Sequence, residues 1–118
     1  MSIRRLLVSV DESEPSQHAL RAALDLAGTY GASVTAVAVV PPYAGDLRLV
    51  GVGDISRVLR QPCEQALQLA QREAARRGLP LSTACEEGEP GEAIAGLADS
   101  MGADLVVMGR RNTSAMGR

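Results

Sequence analysis

The chain reads as an α/β domain in which a parallel sheet carries helices on both faces. Three observations predict this. Apolar, mostly valine- and leucine-rich runs at residues 3–10, 33–40 and 105–108 alternate with longer segments whose apolar residues recur at helical spacing. Phe and Trp are absent and Tyr occurs twice, so the core must be built from Ala, Val, Leu, Ile and Met, which suits helices laid closely on a sheet. The run Leu105-Val106-Val107-Met108 is apolar without alternation, as expected of a strand buried on both faces of a parallel sheet.

Each element has its own signals. Residues 3–10 form a first strand around Leu6-Leu7-Val8. Asp11-Glu12-Ser13-Glu14-Pro15 then turn into a helix, with proline suited to the first turn and the acids to its positive pole. Ala19, Leu20, Ala23, Leu24 and Ala27 share one helical face, and Gly31 ends the helix. Residues 33–40 form a second strand, closed by Pro41-Pro42, and residues 41–53 read as a loop. A long helix follows, with Ile55, Val58, Leu59, Ala66, Leu67, Ala70 and Ala74 as its apolar stripe. Pro62 marks a kink or the true start of this helix, and Arg76-Arg77-Gly78 mark its end. Residues 79–85 are a more polar third strand, suited to a sheet edge. Gly88-Glu89-Pro90 open a third helix with Ala93, Ile94, Leu97, Ala98 and Met101 on one face, and Gly102 closes it before Asp104 and the fourth strand. Strands alternating with helices imply right-handed crossovers in one parallel sheet. At 118 residues, positions 1–118 make a single domain.

Charge and cysteine content narrow the function. A net charge of −2 argues against a nucleic-acid-binding surface. All twelve cations are arginine, which excludes any mechanism needing a catalytic or phosphate-loop lysine. Cys63 and Cys85 form no CxxC pattern and His18 stands alone, so no metal cluster is expected. Two free thiols in a reducing compartment fit this usage. No apolar run reaches membrane-spanning length, and the expected location is the cytoplasm.

In such a sheet, ligands bind beyond the carboxyl ends of strands, where the winding reverses. This singles out Asp11 after the first strand, Val39 and Val40 at the end of the second, and Gly109 after the fourth. The first and fourth strands must then be neighbours. Asp11 suits either a ribose hydroxyl or metal ion, or the cap of the following helix. Gly109 lets the backbone turn sharply or a ligand approach closely. Arg110 and Arg111 suit phosphate contact or a solvated surface. Glu86, Glu87 and Glu89 read as a solvated acidic loop, and His18 as structural or exposed. No G-x-S-x-G elbow, phosphate-loop motif or G-x-G-x-x-G follows the first strand, and no nucleophile stands with a base. The chain is expected not to be an enzyme.

Four segments, in order, resemble the universal stress protein family along the whole chain. They are Leu7-Val8-Ser9-Val10-Asp11-Glu12-Ser13-Glu14-Pro15-Ser16 with Ala19-Leu20, and Val34-Thr35-Ala36-Val37-Ala38-Val39-Val40. Gly88-Glu89-Pro90 with Ala93-Ile94 follows, then Gly102-Ala103-Asp104-Leu105-Val106-Val107-Met108-Gly109-Arg110. The resemblance implies an adenine-nucleotide alpha-hydrolase-like fold with strand order 3-2-1-4-5. It also implies ATP, with or without Mg, held at the tips of strands one, two and four. Ser9, Val10 and Asp11 would then meet adenosine, Val39 and Val40 would flank adenine, and Met108 and Gly109 would line the adenine and ribose side. Arg110, Arg111 and Asn112 would follow in the phosphate segment.

Two departures from the family pattern weaken the expected phosphate site. Asn112 stands where nucleotide-binding members carry the second glycine of G-x-x-G, and the later Gly-Ser element is absent before Arg118. The last helix and the fifth strand, often the dimer contact in relatives, are likewise expected to be missing, either because the chain is incomplete or because this is a shortened member with a damaged phosphate site. The resulting expectation is an adenine-nucleotide-binding stress-response module that forms a homodimer or higher homo-oligomer, without nucleic-acid or membrane partners. The alternative is a member without nucleotide that acts through protein contacts. A phosphorylatable receiver domain has similar topology, but Glu86-Glu87 offers it no aspartate and the chain offers it no lysine.

Overall fold

In a computed structural model, which describes residues 2–40 and 52–109, strands and helices alternate along the chain. They are β1 (Arg5–Ser9), α1 (Glu14–Tyr30), β2 (Ser33–Val40), α2 (Val52–Arg76), β3 (Ser82–Glu87), α3 (Pro90–Met101) and β4 (Leu105–Met108). The strands form one sheet in the order β3-β2-β1-β4, with every pair parallel. β1 and β4 are neighbours, as expected: Ser9 is flanked by Val37 on one side and Met108 on the other.

Alternation along β1 divides the core. Leu6, Val8 and Val10 face α1 and α2, where they pack with Ala23, Leu24 and Ala27 and with Ala66, Ala70 and Ala74. Leu7 faces the other way, with Val37 and Ile94 of α3. The α2 stripe is mostly alanine, so that helix rests close to the sheet while burying little apolar area at each position.

Local chemistry fixes the helix ends. Ser13 is extended and its hydroxyl accepts the Ser16 backbone N–H at 3.3 Å, while Gly31 ends α1 in the left-handed region at φ 67°. Glu89 caps α3, its Oε1 accepting the Glu92 N–H at 2.8 Å. Asp104 Oδ2 accepts the backbone N–H groups of Arg4 and Arg5 at 2.8 and 2.9 Å, and so ties the entry of β4 to that of β1. Arg77, just past α2, pairs with Asp25 of α1 at 2.5 Å and with Glu73 at 3.1 Å.

Several expectations change. Residues 41–51 of the expected loop lie outside the described residues, but Val52 and Gly53 already belong to α2. Pro62 sits inside that helix rather than at its start. Val58 points to solvent, 61% exposed, and Cys63 takes a buried place on the stripe instead. Ile55 lies outside the described side chains. β3 is shifted to Ser82–Glu87, because Leu79 and Leu81 serve as connector residues packed on the α1–α2 core. β3 is an edge strand, and Glu86 and Glu87 belong to it, beside Val39 and Val40, rather than to a loop.

β4 is not buried on both faces. Leu105, Val106 and Met108 are 36%, 37% and 55% exposed, since among the described residues only β1 pairs with this strand. A continuous apolar run carries no information about whether a strand stands inside a sheet or at its edge. Nor are the cysteines free: Cys63 and Cys85 are joined in a disulfide. Their positions in sequence did not show this, because the α2–β3 crossover alone decides which helical position returns to which strand position.

Two outcomes test this packing. Ala70 is 1% exposed against the sheet, so Ala70→Leu should destabilise by about 1–3 kcal/mol. Val58→Lys should stay within about 0.5 kcal/mol of the parent in the same urea titration. The backbone bonds to Asp104 lower its pKa below the ordinary 3.8. A carboxylate with a lowered folded pKa stabilises fully above its unfolded value and loses that contribution as pH falls through the folded one. Asp104→Asn should therefore lower the thermal midpoint at pH 7, and the gap to the parent should narrow progressively below pH 3.8.

Candidate functional site

The carboxyl ends of β1, β2 and β4 gather on one side of the sheet, and two clefts open there. The first, ≈ 190 Å³, lies on the α3 side and is lined by Ser9, Asp11, Ser13, Ser16, Ile94, Met108 and Gly109, among others. The second, ≈ 130 Å³, lies on the α2 side between Val10, Asp11, Glu12, Ala38 and Val39 and the helical residues Pro62, Cys63 and Ala66. Asp11 is the residue common to both.

A closed set of hydrogen bonds holds Asp11 in place. Its backbone N–H donates to Ser16 Oγ at 2.7 Å, and its Oδ1 accepts the Ser13 N–H at 2.7 Å. Ser13 Oγ in turn accepts the Ser16 N–H at 3.3 Å. The helix cap is thus Ser13, and Asp11 braces the turn before it. Asp11 remains exposed, and its Oδ2 takes no partner among the described residues. The structure gives Asp11 a local structural task while leaving one carboxylate oxygen directed to other partners.

Gly109 is fixed by packing rather than by a sharp turn. A Cβ there would lie 2.6 Å from both the carbonyl carbon and the oxygen of Pro15, and 2.7 Å from the Ser16 nitrogen. The first turn of α1 therefore sits directly against the end of β4. No positive φ is involved, as the left-handed glycines are Gly31, Gly78, Gly88 and Gly102.

Of the residues singled out in the sequence, Ser9, Asp11, Met108 and Gly109 come together in the first cleft, and Val10, Asp11 and Val39 in the second. Val40 does not join them. It is 1% exposed in the core, and its carbonyl accepts the Gly88 N–H at 3.0 Å. Arg110, Arg111 and Asn112 lie outside the described residues. Ser13, Ser16, Pro62 and Cys63 were missed. The Ser-x-x-Ser spacing after β1 was the available signal for the first two, and the stripe position one turn before Ala66 for Cys63. A third groove, ≈ 360 Å³, runs between α1 and β4 and includes His18, Val107 and Met108.

The close approach at Gly109 gives a direct test. Gly109→Ala forces the α1 turn and β4 apart, and should destabilise by about 1–3 kcal/mol in urea unfolding. A variant as stable as the parent would show that the two backbones are not in contact.

Comparison with known proteins agrees with this arrangement. The model of the Universal stress protein family matches residues 2–118. A universal stress protein of Methanocaldococcus jannaschii is 30% identical over 98% of this chain and 69% of its own length. A solved structure from the same family in Burkholderia pseudomallei is 30% identical, with a TM-score of 0.79 over 92% of this chain and 82% of that one. Two more distant structures share the fold. A universal stress protein in complex with cAMP is 23% identical, with a TM-score of 0.73 over 91% of this chain and 76% of that one. A family protein of Arabidopsis thaliana with AMP bound is 14% identical, with a TM-score of 0.71 over 95% and 80%. The chain belongs to the universal stress protein family.

Proposed function

We propose that this chain is an adenine-nucleotide-binding stress-response module, and that it binds rather than catalyses. One observation carries the reading: two clefts meet at Asp11, at the carboxyl ends of three parallel strands and beside the β1–β4 pairing. This is where an open parallel sheet takes its ligand. The structural neighbours bound to cAMP and to AMP support the ligand class. ATP, with or without Mg, is the specific ligand proposed, with the cytoplasm as its location. Among the described residues, no helix is long and apolar enough to cross a membrane.

A second reading has its own observation. The exposed apolar edge of β4 suits pairing with another copy, so a family member acting through homo-oligomeric contacts without nucleotide is the competing function.

Ligand-induced stabilisation separates the two. A ligand that binds only the folded state adds RT ln(1 + [L]/Kd), roughly 2.7 kcal/mol at a hundredfold excess over Kd. Asparagine tolerates the left-handed region better than other non-glycine residues, but its side chain crowds a phosphate. The thermal shift with ATP should therefore be small in the parent, larger in Asn112→Gly and lost in Asp11→Ala. Equal shifts in all three, together with concentration-dependent sedimentation, would put the contact-based reading in its place.

A further inference from the structure

We propose that Cys63 and Cys85 form a site of reversible thiol–disulfide modification that sets how firmly the α2 wall of the Asp11–Val39 cleft is held. The effect on binding rests on the nucleotide reading above; the redox chemistry does not. The two residues lie on α2 and β3, 22 positions apart in sequence, with Cα atoms 6.6 Å apart and their sulfurs bonded. That Cα separation accepts a disulfide without moving the backbone. Cys63 lines the cleft beside Pro62, opposite Asp11 and Val39, so the bond forms part of the site's wall.

Both redox states suit the fold. Cys63 Sγ lies 3.3 Å from the Ala38 carbonyl oxygen. Bonded, the sulfur has no hydrogen and only touches that oxygen; reduced, its S–H finds the acceptor already in place. A thiol also behaves as a small apolar group, which suits the surroundings of Cys63 at 5% exposure. Breaking the bond therefore leaves neither a cavity nor an unpaired buried polar atom. This distinguishes a switchable link from one the fold requires.

Exposure sets the order of the reaction. Cys63 is buried and Cys85 half-buried, so an external thiolate attacks Cys85 Sγ. The S–S bond breaks, and its electron pair leaves with Cys63 Sγ, which takes up a proton. A second external thiol then attacks the external sulfur of the mixed disulfide and releases Cys85 as a thiol. One protein disulfide and two small-molecule thiols thus give a protein dithiol and one small-molecule disulfide, with two electrons passing to the protein.

The consequence follows from how α2 is held. Ala66, Ala70 and Ala74 meet a sheet surface that includes Ala36 and Ala38, and Leu59 and Leu67 are only partly buried. Such contacts bury little area each, so the covalent link to β3, where Cys85 pairs with Ala38 of β2, supplies much of what fixes the Pro62 turn beside the end of β2. Reduction leaves the sheet intact and frees this wall.

The test compares oxidised and dithiothreitol-reduced full chain, with no nucleotide present at first. Oxidised protein should resist iodoacetamide at both cysteines. Reduction should expose Cys85 to alkylation before Cys63, preserve the circular dichroism spectrum, and speed amide hydrogen exchange in residues 60–70. AMP affinity should then fall on reduction by about fivefold or more, the lower range of typical site couplings. Cys85→Ser should bind like the reduced protein and ignore reductant. Alkylation of both cysteines after treatment with oxidised glutathione, or unchanged exchange on reduction, overturns the modification site. Changed exchange with equal AMP affinity in both states overturns its coupling to the cleft. Changed exchange with no AMP binding in either state upholds the redox site and removes the nucleotide reading instead.

Discussion

Backbone packs against backbone where α1 begins and β4 ends, and the geometry of the whole carboxyl side of the sheet depends on that contact. The hypothetical Cβ of Gly109 would sit 2.6 Å from Pro15, which leaves room for hydrogen alone. β4 in turn pairs with β1 from Leu6 to Ser9, so the distance from α1 to β4 fixes where the α1 entry stands over β1. The bonds among Asp11, Ser13 and Ser16 then have one arrangement open to them. Ser16 is 4% exposed, and with its hydroxyl held by the Asp11 N–H it anchors the turn from within. A core without Phe or Trp makes such closeness possible, because no large ring props the layers apart.

The same small residues divide the molecule unevenly. α1 presents two leucines, Leu20 and Leu24, to the sheet, whereas the fully buried positions of α2, among the described residues, are alanine plus Cys63. Hydrophobic stabilisation follows area, so α1 is the better anchored of the two. The first cleft leans on α1 and the second on α2. One wall of the candidate site therefore rests on more buried apolar area, and the other carries a cross-link and an interhelical ion pair. Arg77 supplies the latter, at the far end of α2 from Cys63, and it is partly solvent-exposed, so its contribution is modest.

What could be read in the sequence was what periodicity and punctuation encode. β2 stands at residues 33–40, α1 begins beside Pro15 and stops at Gly31, and α3 runs from Pro90 to Gly102, because each is bounded by a residue with one local use. The neighbouring of β1 and β4 followed from placing Asp11 and Gly109 at one switch point and from the resemblance. Signals that depend on the third dimension were not legible. Val58 and Cys63 both fit an apolar stripe, and only the docking angle of α2 sends one to solvent and the other to the sheet. The apolar run of β4 reads alike at an edge and in the interior. Gly109 was recognised as special, but its reason, a close backbone neighbour 94 positions earlier at Pro15, leaves no local trace. Val40 ends a strand, as a site residue would, but its pleat turns it inward.

Charge would separate the two halves of a nucleotide bound at this site. Asp11 and Glu12 are the acids that line the two clefts, and no arginine lines either among the described residues. A carboxylate and a phosphate charge 4 Å apart repel by about 4 kcal/mol at the effective dielectric of a protein surface. A neutral base and ribose meet no such penalty, and a hydroxyl gains an acceptor in Asp11. A phosphate bound here would need balancing from elsewhere, by a bound cation or by Arg110 and Arg111, which follow Gly109 directly in sequence. Under the proposed reading, nucleoside recognition would fall to the strand ends. Phosphate recognition would fall to the sequence after Gly109, where Asn112 departs from the family's glycine.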